Sequence, residues 1–451
     1  MRIRIQEIKI ENFRNVSSGV ITFPCYSNDK LFSLQSDIVG IYGQNGSGKT
    51  TFILALQLIK DLITGQSIRE EIESLITAGK TDASLSIVFG VSDTDSSIKT
   101  LLTYKVKFSD VGLEDMTIDE VVYYRDILSS PEGDTVLHKY NIYTTKYGFY
   151  NKTDLFDEYR KVAREMRVDK LVCEKQFRSF IFSNELLLQF KDESYLATII
   201  SSVRTFCERN LLIVTHNLSG LIALDAALPL SARGPNYYGN FNLPIDEPIP
   251  LPENLFRLID DIIDNINIIL AKIIPGMSLK MRNLGQEILH NGETGVRGQL
   301  TVIRDSVELP LSAESEGIKK IVSILHLYAA AYNDDSITVA IDELDSGVYE
   351  YLLGELLNVF KKSGHGQLIF TAHNLHPLEV LDKNSIVFTS TDVNNRYVRL
   401  RNIKATNNLR DCYLREIILG SNNKLSEETN EAEIAHALRK AGRAGKAITE
   451  D

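Results

Sequence analysis

Residues 39–59 read VGIYGQNGSGKTTFILALQLI: a short apolar run, a glycine-rich turn, then apolar residues at helical spacing. Gly43, Gly48, Lys49 and Thr50 fall on G-x-x-x-x-G-K-[ST], with Gln44, Asn45, Gly46 and Ser47 in the variable places. Glycines let successive amides turn inward with no Cβ in the way, and the following helix aims its positive N-terminus at the same point. The stretch therefore reads as a loop that wraps a polyphosphate. Gly43, Asn45, Gly46, Ser47, Gly48 and Thr51 would surround the phosphates, and the Lys49 ammonium would reach the β- and γ-phosphates. The Thr50 hydroxyl would join the shell of a Mg²⁺ ion bridging them, which makes ATP and Mg²⁺ the expected cofactors.

At 451 residues the chain is long for one core, so an ATPase domain with a sizeable insertion or a second domain is expected. No apolar run approaches the roughly 20 residues that span a bilayer, and the opening MRIRIQEIKIENF alternates polar and apolar residues instead of showing a signal-peptide core. A cytoplasmic protein with no membrane partner is expected. A net charge of −11 speaks against a broadly nucleic-acid-adhesive surface but leaves room for a local basic groove. Cys25, Cys173, Cys207 and Cys412 are far apart, with no zinc-like spacing, and read as free buried thiols.

The patterning predicts an α/β fold. RIRIQEIKI (2–10) and GVITF (19–23) read as an antiparallel sheet edge, and ASLSIVFGV, LLTYKVKF and EVVYYRDIL continue it as a β-rich lobe. Periodicity then turns helical and charge-rich, and 228–254 looks loop-like with Pro229, Pro235, Pro244, Pro248, Pro250 and Pro252. The expected division is 1–139 for the first part of an ATPase head, 140–255 for a mainly helical insertion serving recognition, 256–405 for the rest of the head, and 406–451 for a helical tail. ENLFRLIDDIIDNINIILAKII (253–274) is a helix stopped by Pro275-Gly276, with strands after it, and the basic-faced tail helix from Glu431 reads as solvated.

SITVAIDE (336–343) is a β-branched run ending in two carboxylates, the way a buried parallel strand delivers acids to its C-terminal edge. Asp342 is placed to hold the Mg²⁺ shell and Glu343 to orient or deprotonate an attacking water. GQLIFTAHN (366–374) delivers His373, a candidate γ-phosphate contact, with a satisfied core histidine as the alternative. LPLSAESEGIKKIVSILHLYAAAY (309–332) opens a long amphipathic helix with a small polar turn, which reads most simply as a helix cap.

The order IKIENFRNV, GQNGSGKT, a Ser-Glu-Gly turn before a helix, VAIDELDSG and FTAHN resembles ABC-type P-loop NTPase heads of the RecF, RecN and SMC-like branch. Within that branch it looks most like the compact ATPases of bacterial abortive-infection and anti-phage systems of the PARIS, Septu and AbiL type. The likeness covers about residues 1–135 and 260–405. It implies Arg14 and Asn15 near the nucleotide, Lys49 and Thr50 on phosphate and metal, and Asp342, Glu343 and His373 around the γ-phosphate. Asp345 and Ser346 would lie in the loop crossing a dimer interface. The family's LSGGQ turn is degenerate here: Ser315 and Gly317 are preferred, with LSAES from Leu311 as the other alignment. Through that turn one head would contact the γ-phosphate held by another, so that ATP joins a homodimer or higher homo-oligomer. Neither Gln176 nor Gln189 has the context of the family's metal-sensing glutamine.

The resemblance implies an ATP-driven switch of an anti-phage system, controlling a separate effector, a TOPRIM or HNH nuclease by type, in answer to a phage-encoded trigger. The other reading is a RecF-like ATPase of DNA repair or maintenance, which needs a basic track for DNA. Lys319, Lys320, Arg399, Arg401 and Lys404 are its candidates. A non-hydrolysing scaffold conflicts with the presence of Glu343, and a transporter subunit with the opening ENFRNV.

Overall fold

The computed structural model describes residues 1–27, 36–68, 72–92, 98–110, 116–130, 133–146, 148–149, 166–189, 195–216, 227–234, 237–400, 408–418 and 431–447. The strand that feeds the glycine-rich turn, Asp37–Tyr42, lies between Gln367–Ala372 and Ile386–Thr389, parallel to both. Thr338–Ile341 pairs with the far side of Gln367–Ala372, and Leu211–Val214 closes that edge, again in parallel. Tyr397–Val398 ends the other edge antiparallel. All side chains of Asp37–Tyr42, Gln367–Ala372 and Thr338–Ile341 are buried, as parallel strands covered on both faces require.

Alternation along these strands divides the apolar residues between two cores. Val39, Ile41, Ile369 and Ile213 join Phe52, Ile53 and Leu56 of the helix Lys49–Ile63 on one face. Ile38, Tyr42, Leu368 and Leu212 join Val322 and Leu325 of the helix Glu316–Asn333 on the other. The first core is closed by a seven-stranded antiparallel sheet in the order Val16–Thr22, Arg2–Phe13, Asp82–Ser92, Ile98–Asp110, Met116–Ser130, Gly133–Thr144, Gly148–Phe149. The expected β-rich lobe is this sheet.

One side chain splices the two sheets. Strand Val16–Thr22 pairs with Arg2–Phe13 only from Glu7 onward, and beyond it Gln367 takes the neighbour's place. Its amide donates to the Ile5 carbonyl and accepts from the Ile5 N–H, both at 2.8 Å. Thr338 Oγ1 donates to the same oxygen at 3.0 Å, and the amide also donates to buried Asp37 at 3.2 Å.

The structure redraws the expected insertion. Leu211–Val214 lies inside 140–255 yet is a strand of the nucleotide core, and the helix Tyr195–Arg209 packs Ile199, Val203 and Phe206 into the first core. Strand Gly133–Thr144 also crosses the boundary at 139. The proline-rich stretch is not a loop: Ala227–Gly234 and Tyr237–Pro244 form a hairpin, and Ile249–Pro252 pairs with Thr294–Arg304. Proline lacks a backbone donor, which is harmless on edge strands, and every strand here is an edge.

The unit set between Leu211–Val214 and the helix Glu316–Asn333 is instead a hairpin followed by a helix-on-sheet layer. In that layer Glu253–Ile273 places Ile259, Ile263, Ile266 and Leu270 with Met277, Leu279, Leu300 and Val302 of the sheet Met277–Ile288, Thr294–Arg304 and Val307–Pro310. Residues 432–441 of the tail helix Glu431–Ala447 are exposed. Cys173 and Cys207 are buried, whereas Cys25 and Cys412 are half-buried, and all four are free thiols. Among the described residues no helix is long and apolar enough to cross a membrane.

Candidate active site

The glycine-rich turn joins Tyr42 to a helix that begins at Lys49. Gly46, at φ +74°, has open space where a Cβ would stand, so the rim of the loop is free of side-chain bulk. The buried Lys49 ammonium donates to the carbonyls of Gly43 and Gln44, both at 2.8 Å. Burial lowers its pKa, and the carboxylates of Asp342, Glu343 and Asp345 pull it back up. Ser47 Oγ donates to the Gln44 carbonyl at 2.6 Å, and Tyr397 OH donates to that of Gly48 at 2.8 Å.

The turn after the first strand clamps the loop from outside. Asn15 Nδ2 donates to the Gly46 carbonyl at 2.5 Å, its Oδ1 accepts from Thr51 Oγ1 at 2.6 Å, and Arg396 donates to its carbonyl at 3.0 Å. Arg14 sits beside it with φ +52° and its side chain exposed; its N–H donates to Leu75. Arg396 and Tyr397 lie far along the chain and carried no local signal in the sequence.

Asp342 is fully buried. Its Oδ1 accepts from Thr371 Oγ1 at 2.6 Å and lies 3.4 Å from Thr50 Oγ1, while Oδ2 has no hydrogen-bond partner among the described residues. A buried carboxylate oxygen without a donor is costly unless a cation meets it, so Asp342 and Thr50 fit a hard divalent ion. Thr371 also receives the Glu343 N–H at 2.7 Å, holding that residue at φ +50°, a conformation few residues other than glycine adopt. Asp345 accepts from the N–H groups of His373 and Asn374 at 2.7 and 2.6 Å, tying the loop after the acidic strand to the loop after Ala372. His373 is exposed, which excludes a core role.

Ser315 caps the helix Glu316–Asn333, its Oγ facing the Ile318 N–H at 3.5 Å. Gly317 lies backbone to backbone against Gly347: a Cβ at 317 would stand 2.0 Å from the Gly347 carbonyl oxygen. The first turn of this helix and the loop after Asp345 are thus one packed unit. We expect Gly317→Ala to force the two backbones apart and lower stability by about 1–3 kcal/mol, read as a drop in Tm.

Lys319 and Lys320 are 3 % and 4 % exposed, so neither belongs to a surface basic track. Burial pushes the Lys320 ammonium down to about 8, against the pull of Asp342, Glu343 and Asp345. Arg399 donates to the carbonyls of Asn384 and Thr22, and Arg401 and Lys404 lie outside the described residues. Gln176 ends the helix Arg167–Lys175 with its carbonyl bonded by Ser67. The side chain that stands beside Glu343 is His216, Nδ1 to Oε2 at 3.4 Å, which the sequence reading passed over.

Two family models match consecutive, overlapping parts of the chain: one described as "AAA domain" over residues 7–208, the other as "AAA domain, putative AbiEii toxin, Type IV TA system" over residues 173–379. The chain carries a mixed α/β P-loop ATPase head. The first model holds the loop at 43–50 and the second holds Asp342, Glu343 and His373, so the head is built from both ends of the match. A stretch of 81 residues is 36 % identical to the DNA replication and repair protein RecF of Deinococcus radiodurans, covering 18 % of this chain and 19 % of that one. Among solved structures, the ATPase head resembles an SMC head bound to the C-terminal winged-helix domain of ScpA (17 % identity, 88 % of this chain and 98 % of that one, TM-score 0.43). It also resembles the SMC head domain of Thermotoga maritima (15 %, 88 % and 99 %, 0.36) and RecF with ATP (12 %, 88 % and 99 %, 0.37).

Proposed function

We propose that this ATPase head is a Mg²⁺-dependent ATP hydrolase that works as a nucleotide-gated switch. The observation that carries the reading is the buried, unpaired Oδ2 of Asp342 within the group formed by Thr50, Thr371 and Lys49. Asp342 and Thr50 would hold Mg²⁺, which when bound neutralises charge on the phosphates. The loop amides and Lys49 bind the polyphosphate, and Glu343 orients water and accepts its proton. His373, on the loop that Asp345 holds, contacts the γ-phosphate and couples its presence to the unit formed by Gly317 and Gly347. Ser315 and Gly317 would meet the nucleotide of a second head, so that ATP joins two copies.

Beyond hydrolysis, we propose control of a separate effector, a nuclease by type, in an anti-phage system; the AbiEii description of the second family model supports the defence setting and names no such effector. The RecF relative supports the other reading, a DNA-maintenance ATPase, while the burial of Lys319 and Lys320 removes two of the cations that reading relied on. Phosphate release with Mg²⁺ and its loss in EDTA tests the hydrolytic core; equal rates in both would refute the metal assignment. Plaque counts on cells carrying the gene and its neighbours, set beside salt-dependent binding to duplex ends, separate the two roles. Protection that requires Lys49, without binding to duplex ends, supports the switch, and tight salt-sensitive binding without protection supports DNA maintenance.

A further inference from the structure

The backbone of Glu343 is fixed, but its side chain is not fixed by the same contacts. Thr371 holds the N–H, the carbonyl accepts from the Ser346 N–H at 3.1 Å, and the carboxylate stands a third exposed at the end of three rotatable bonds. A water-activating carboxylate must be aimed as well as present, because misplacement by about 1 Å can cost on the order of a hundredfold in rate. Among the described residues the one side-chain partner of this carboxylate is His216, with Nδ1 3.4 Å from Oε2.

The placement follows from the sheet. Val214 pairs with Ile341 in the parallel ladder, and the Asp342 N–H donates to the Val214 carbonyl at 2.9 Å, so the pairing runs past both strand ends. Continuing that register by two residues sets His216 opposite Glu343. The imidazole faces the carboxylate through Nδ1 at 3.4 Å, and in the tautomer that carries its proton there a small rotation would let it donate to Oε2 without needing a charge. Catalytic hydrogen bonds are often long before substrate arrives and tighten in the reacting complex.

We propose that His216 is a positioning residue for Glu343, aiming its carboxylate at the attacking water. The proposal rests on the hydrolytic reading above. It ties the rate of hydrolysis to the end of Leu211–Val214, where the chain leaves the nucleotide core for the hairpin and the helix-on-sheet layer.

Steady-state ATP turnover of the full chain with Mg²⁺ tests it. His216→Ala should lower kcat by about ten- to a hundredfold with KM for ATP changed less than about twofold, since the interaction acts on chemistry and not on nucleotide binding. An asparagine amide can donate from nearly the place of Nδ1, so His216→Asn should recover most of the rate, whereas His216→Leu should not. In a Glu343→Gln background, His216→Ala should have no further effect, because its action passes through that carboxylate. A wild-type kcat in His216→Ala overturns the proposal. So does a loss that asparagine fails to rescue, or one that adds in full to Glu343→Gln. Absence of Mg²⁺-dependent turnover in the wild type overturns the hydrolytic reading and this proposal with it, whereas impairment by Glu343→Gln with an intact His216→Ala overturns this proposal alone.

Discussion

Lys49→Ala should lower ATP turnover by at least about a hundredfold, the scale of losing one preorganised charge at a site where negative charge develops. The ammonium is buried and held by the carbonyls of Gly43 and Gln44 at the centre of the loop. Its removal deletes that attraction and leaves those two carbonyls without their donor. The fold should survive, since alanine is the best helix former and position 49 opens the helix Lys49–Ile63. A circular-dichroism spectrum like that of the wild type, with phosphate release at background, is the expected pair of results. Turnover within a few-fold of wild type would mean that the loop is not where the nucleotide's phosphates bind.

Glu343→Gln should slow hydrolysis by about 10²–10⁴-fold while leaving ATP binding nearly unchanged. The change keeps shape and removes the negative charge, and with it the capacity to take a proton. The side chain is a third exposed, the buried Lys49 and Lys320 keep the carboxylates of Asp342 and Asp345, and the Thr371 bond to the backbone is untouched. With ATP bound and chemistry blocked, the form joined by nucleotide should accumulate, seen as an ATP-dependent rise in mass by light scattering that the wild type shows only transiently. Retention of wild-type turnover would remove Glu343 from the reaction, and loss of turnover without a mass change would remove head-to-head joining.

The parts of the site that local spacing specifies were legible. The loop from Gly43 to Thr50 and the pair Asp342–Glu343 are each written within a few adjacent residues, because a glycine turn and a strand end are local structures. Leu211–Val214 was not legible as a core strand, since nothing within four apolar residues says which strand they will pair with. Thr371 was in view inside FTAHN, but its bonds to Asp342 and to the Glu343 backbone depend on the register between two strands. Lys319 and Lys320 were read as surface charges, which is the usual place for lysine; their burial follows from how the helix Glu316–Asn333 is rotated against the acidic strand. Prolines between 229 and 252 misled because their effect depends on whether a strand lies at an edge.

The order of strands in the parallel sheet bears on how a ribosome delivers this protein. Asp37–Tyr42 emerges early, yet both of its neighbours, Gln367–Ala372 and Ile386–Thr389, are made late, and the amide that joins Ile5 to the core is that of Gln367. At about 5–20 residues per second, Asp37–Tyr42 waits on the order of 20–70 s for these partners. A half-made chain can therefore display the glycine-rich loop but cannot seat it against Asp342, and nucleotide capture begins only when translation is nearly done. Arg2–Phe13 and Val16–Thr22 can pair with each other as soon as both are made, but Asp37–Tyr42 stays apolar and unpaired for that interval, so nascent chains of this protein should depend on chaperone holding at that one strand.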